Sequence, residues 1–258
     1  MSLSLASTYA IYPYLLLLTA KGQRYDVIIN ANQTAANYWF RVSIGCGTNK
    51  ILNANVTIGA ILHYTGIPEG NPTSTGVTMR TTCTDETNLV PYVPNQVPRS
   101  LVPEARQLQL SSFVNASQNN LFRWLLNGST QVVNWEKPSL QTALEGSSDF
   151  GNNSNLYEIQ KVDGWYLWWI QNTGAVRLPH PIHLHGHDFY LLGKGSGVWD
   201  QTTNGLNFDN PTRRDTTTMP AGGFLLLAFP ADNPGVWVRS PSFFFFSLLC
   251  SVPLEIIC

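Results

Sequence analysis

Four of the five histidines fall within eight residues, His180, His183, His185 and His187, in the segment LPHPIHLHGHDF. An imidazole lone pair is a good ligand for copper, zinc and iron, so this density points to a metal site. Along a strand, side chains alternate between faces, and positions two apart share a face. His183 and His185 are therefore expected to point the same way. His180 stands three positions before His183, on the opposite side of an extended backbone, and Pro181 stiffens the path between them. Such a segment delivers two imidazoles to one site and one to a neighbouring site. His187 keeps the parity of 183 and 185 but follows Gly186, where the geometry is free to change. A cupin-type site also uses His-x-His, but it wants a Glu a few residues on and a distant further His. Here the nearest acid is Asp188 and no His follows His187. The fifth, His63, stands alone in a strand-like run and reads as structural.

The elements that must position this cluster read as strands. Short β-branched and aromatic runs cover 24–29, 37–42, 55–64, 121–126, 165–171, 183–192 and 224–229, punctuated by 20 Gly and 16 Pro. No long stretch shows the 3.6-residue apolar period of a helix. Repeated short strands with Gly- and Pro-rich turns predict an all-β chain of Greek-key sandwiches or barrels. Trp165, Trp168 and Trp169, close before the motif, read as core on a strand. Charged residues make up 12% of the chain, against about 25% in ordinary soluble domains. With a formal charge of -1 the chain lacks the basic footprint of a nucleic-acid binder. No run is long enough to span a membrane as a helix. A Pro-rich stretch at 91–105 is expected to be an extended linker between a β unit at 1–90 and a second at 106–237. The last segment, 238–258, is apolar and carries four consecutive Phe at 243–246.

The four cysteines, Cys46, Cys83, Cys250 and Cys258, form no CxxC pair, which excludes a zinc ribbon or thioredoxin-type motif. Cys46 and Cys83 lie in one strand-rich half, close enough in the chain for a bridge there. Glycosylation sequons occur at Asn32, Asn55, Asn115, Asn127 and Asn152. With the sparse charge they favour a secreted glycoprotein. The first twenty residues lack the basic start of an export signal, and Leu15–Leu18 reads as part of a strand. The expectation is that a preceding segment is missing from this sequence.

LPHPIHLHGHDF resembles the histidine motif in the last cupredoxin domain of multicopper oxidases, and more closely that of fungal laccases of the ascomycete type. GQRYDVIINANQTAANYWFRV is similar to strands of the laccase second domain. NPTSTGVTMRTTCTDETNLVPYVP resembles the end of that domain and the linker, and NPTRRDTTTMPAGGFLLLAFPADNPGVW the strands after the motif. The similarity runs from about 22 to 237. It implies a partial second cupredoxin domain at 1–90 and a third at 106–237 without its last strands. It implies copper as cofactor: type 1 copper through His180, type 2 through His183 and type 3 through His185, with His187 outside the ligand set. It further implies a disulfide between Cys46 and Cys83, and oxidation of phenols or aromatic amines coupled to reduction of dioxygen to water. No nucleic-acid or membrane partner is implied.

The sequence departs from the family pattern in two places. It carries none of the earlier His-x-His motifs, and after Asn233-Pro234-Gly235-Val236-Trp237 it lacks the expected His-Cys-His. Cys250 has no flanking His and is not that ligand. The expectation is a catalytically incomplete, aggregation-prone fragment whose tail at 238–258 reflects a retained intron or a shifted exon boundary. Non-catalytic copper or zinc binding by His180, His183 and His185 is the competing expectation, with a non-functional truncated product as the third.

Overall fold

The computed structural model describes residues 2–5, 13–14, 22–43, 57–73, 85–86, 89–118, 120–130, 134–151, 155–159, 163–241 and 254–257. Cys46, Cys83, Asn55 and Asn152 lie outside the described residues. The chain divides into two compact units. The first takes Met1–Leu18 and Tyr25–Thr87, the second Thr19–Arg24 and Asn88–Cys258.

In the first unit, β1 (Ser2–Leu5), β2 (Pro13–Tyr14) and β3 (Val27–Asn30) form one antiparallel sheet in the order β2-β1-β3. A second is the hairpin of β4 (Asn37–Ser43) and β5 (Thr57–His63), with Asn37 opposite His63. His63 Nδ1 lies 2.7 Å from Asn37 Oδ1 across that pair, which fits a structural role.

The second unit is built from β6 (Arg106–Asn115), β7 (Leu121–Leu126), β8 (Leu156–Glu158), β9 (Trp165–Asn172), β10 (His180–Leu184), β11 (Phe189–Ser196), β12 (Thr212–Arg214), β13 (Thr216–Met219), β14 (Gly223–Pro230), β15 (Val236–Pro241) and β16 (Leu254–Ile257). A six-stranded sheet runs β12-β11-β14-β9-β6-β7, and a five-stranded sheet runs β13-β10-β15-β16-β8. Inward side chains of both meet in one apolar core, including Leu108, Trp168, Leu184, Phe189, Met219 and Phe229, each 2% exposed or less. This is a β-sandwich, closed by burial of apolar faces.

The outer face of the six-stranded sheet is covered too. Leu167, Trp169, Tyr190, Leu192 and Leu226 pack there against Val97, Leu101, Trp199 and Phe208. That double burial explains why β14 reads GFLLLAFP rather than alternating, with Leu225, Leu226 and Leu227 all fully buried. Trp168 and Trp169 project to opposite faces of β9, and both faces are core.

The Pro-rich stretch is not wholly extended. Arg99–Glu104 winds into a 3-10 helix that buries Leu101, and Val97 N–H donates to Phe208 O at 3.0 Å. Burying Leu101 and Val97 against the sheet favours a turn over an exposed rod. One short α-helix, Ser139–Leu144, also forms where no helical period was legible. The run 183–192 splits into β10 and β11 at Gly186, whose φ of +71° turns the chain. Finally, β15 crosses the boundary expected at 237/238. It continues to Pro241, pairing Leu184 with Arg239 and Ile182 with Pro241, and β16 joins its other side. β10 therefore has a strand partner on both flanks, which occupies its backbone donors and acceptors.

Candidate metal centre

β10 carries His180 and His183 in the five-stranded sheet, between β13 and β15, and His185 and His187 follow it in the bend. His180 opposes Met219 and His183 opposes Thr216. The two ends of this strand face different surroundings.

His180 is 4% exposed and belongs to the apolar side. Its ring meets Trp124 of β7 edge-on, with centroids 4.3 Å apart at 80°. Nε2 is buried and has no hydrogen-bond partner among the described residues. Burial pushes the pKa of His180 down from 6.5 to about 4, because the charged form loses its water. The ring is thus neutral at neutral pH and presents a free lone pair.

His183 and His185 lie together, ring centroids 4.7 Å apart and tilted by 51°. The main chain of Asp215 accepts from His183 Nδ1 at 2.7 Å, and Thr216 Oγ1 lies 2.9 Å from the same nitrogen. Asp215 Oδ2 is 3.8 Å away, and Arg24 pairs with that carboxylate. With Nδ1 carrying the proton for the Asp215 carbonyl, Nε2 is the nitrogen left to coordinate. The pKa of His185 is lowered, first by desolvation and then by charge on His183, with Asp215 opposing. A cleft of about 470 Å³ opens on this pair, walled also by Arg24, Asp188, Arg213 and Asp215. A larger cavity of about 570 Å³, along β9 near Glu104 and Tyr157, contains none of the histidines.

Beyond Gly186 the parity breaks. His187 turns into the core, 6% exposed, against Phe229 at 5.7 Å and Trp237 at 6.1 Å between centroids. Its nearest acid is Asp232 Oδ1, 4.0 Å from Nε2.

The arrangement suits copper in donor type. It offers three imidazoles with depressed or committed protons, one in an apolar pocket and two side by side. Zinc accepts the same donors. Among the described residues no group of three or more His, Cys, Asp or Glu stands close enough together to hold a metal ion. Sequence reasoning did not single out Asp215, Thr216 or Trp124. Their contacts come from segments far away in the chain, and no spacing along it signals them.

A β-sandwich carrying His-Pro-x-His-x-His on an inner strand defines a class, and family comparison agrees. Multicopper oxidase family models match residues 113–240 and 16–67. The chain belongs to the multicopper oxidase family, with the cupredoxin fold of its structural neighbours. It is 42% identical to Laccase-3 of Botryotinia fuckeliana over 231 residues, covering 84% of this chain and 50% of that protein. It is 40% identical to Laccase-1 of Melanocarpus albomyces over 240 residues, covering 86% of this chain and 38% of that one. The laccase structure from Botrytis aclada superposes with a TM-score of 0.81 at 31% identity, over 99% of this chain and 47% of that chain. The chain spans half or less of the length of these relatives.

Proposed function

We propose that this chain provides part of the copper centre of a laccase-type oxidase, with His180 for type 1, His183 for type 2 and His185 for type 3 copper. The observation that carries the reading is the division of one motif. Two imidazoles stand 4.7 Å apart at an open cleft, and a third is sealed against Trp124. When bound, copper would supply one-electron oxidation of a phenol or aromatic amine and four-electron reduction of dioxygen to water. The chain's own residues do the positioning. Asp215 and Thr216 hold the His183 ring and its tautomer, and Arg24 pairs with the Asp215 carboxylate. The apolar wall at His180 excludes water and keeps the ring unprotonated.

Three imidazoles are too few to hold four coppers. We infer that the donors within these 258 residues bind copper without sustaining oxidase turnover by themselves. Secretion and glycosylation belong to the same reading. Asn32 is exposed, while Asn127 sits in an Asn-Gly hairpin turn with its amide bonded to Tyr157 and Gln109. Among the described residues no helix is long and apolar enough to cross a membrane.

Copper stoichiometry by metal analysis, with oxygen uptake on a methoxyphenol measured in parallel, tests the proposal. Bound copper lost in His183→Ala and His180→Ala, without uptake by the chain alone, is the expected result. Copper content unchanged in both variants would contradict it.

A further inference from the structure

The bend that carries His185 is held by residues outside its own strand. Gly186, at φ +71°, follows His185 directly. Asn233 Nδ2 donates to Gly186 O at 2.8 Å, and Trp237 Nε1 donates to Asn233 O at 2.8 Å. The indole of Trp237 lies against two glycines. A Cβ at Gly186 would stand 2.3 Å from its ring, and one at Gly235 would stand 2.8 Å from it. On its edge the same indole meets His187, at 86°. The turn at 233–237 therefore clasps the bend at 185–187 through one amide and a ring that only glycines admit, while the indole N–H ties the turn to itself.

We propose that Asn233 and Trp237 are positioning residues for His185, fixing where its imidazole stands beside His183. This rests on the reading of His183 and His185 as copper ligands. Gly186 has no Cβ to restrict its dihedrals, so nothing local to that residue keeps the bend in one state. A small rotation there moves the His185 ring relative to His183, and ligand sets tolerate only about 0.5 Å of error. Asn233 is exposed, so burial does not demand an amide at this place. The donor to Gly186 O is what the bend uses.

The test uses the full chain, metal-free, at fixed neutral pH, with ¹⁵N-labelled histidine rings followed by NMR. Asn233→Asp removes the donor at constant shape. Trp237→Phe keeps an aromatic ring beside the glycines and removes the N–H together with part of the indole. The expected result is displaced or split resonances for His185 and His187 in both variants, with His180 and His63 unmoved, and Cu(I) affinity about 10-fold weaker. Should Asn233→Asp fail to fold, Trp237→Phe alone decides. His185 resonances that coincide with wild type, even alongside a lower Tm, overturn the proposal. Cu(I) added to the unaltered chain separates the two claims. If it leaves His183 and His185 unperturbed, the copper reading fails while the metal-free comparison still reports on the clasp.

Discussion

The two ends of β10 place the same side chain in opposite settings. At His180 an apolar wall surrounds the imidazole, and no described group satisfies Nε2. At His183 the ring is tied by a carbonyl and a hydroxyl, and its neighbour His185 shares a cleft with Arg24 and Asp215. One end uses desolvation to keep a nitrogen free, the other uses hydrogen bonds to choose which nitrogen is free. Three residues of extended backbone suffice to divide them, because the strand turns its side chains alternately to the core and to the cleft.

The largest test of that contrast is Trp124→Ala. It opens a cavity beside His180 and should cost about 4 kcal/mol, read from denaturant midpoints. Admitting water should also raise the pKa of His180 from about 4 toward 6.5, while His183 and His185 keep their ring resonances. An unchanged His180 titration would break the desolvation account.

The next effect is on pH dependence. His180 binds its proton more weakly folded than unfolded, so the unfolded state gains protons first as pH falls. Its contribution leaves stability flat above about pH 6.5, lowers it between 6.5 and about 4, and levels off below. His180→Leu should flatten that stretch of the stability curve, and a curve that keeps its slope would assign the effect elsewhere.

Thr216→Val is smaller and addresses the other end. Losing the hydroxyl beside His183 Nδ1 should cost about 1 kcal/mol and weaken copper binding there about 10-fold, since the Asp215 carbonyl remains. Isothermal titration against the unaltered chain reads both ends, and equal weakening at His180 would erase the distinction. Least of all, Arg213→Ala removes an exposed pair to Asp188 and should shift stability by no more than about 0.5 kcal/mol, with copper binding unchanged.

Much of this site was legible from residue spacing alone. The parity of 183 and 185 follows from a two-residue period, and the separation of His180 from three residues of strand. For His187 the break at Gly186 was legible but its direction was not: the positive φ there ends the period and sends the ring into the core. The groups that orient His183 were invisible for a different reason: Asp215 and Thr216 reach it from 32 and 33 residues away in the chain. β7, β9 and β14 were readable as strands, since their β-branched and aromatic runs match their spans. The 3-10 helix at Arg99–Glu104 was not, because Leu101 folds inward only once a sheet face is there to bury it. The continuation of β15 to Pro241 was not legible, because the boundary expected from sequence falls where the family pattern ends, at Trp237.

The central proposal is that β10 and the bend after it present two separate copper-binding places. Anaerobic titration of the full chain with Cu(I), which leaves histidine NMR signals sharp, tests it most directly. The account predicts that His183 and His185 respond together with one affinity and His180 with another. A single transition shared by all three, or none at any of them, would contradict it.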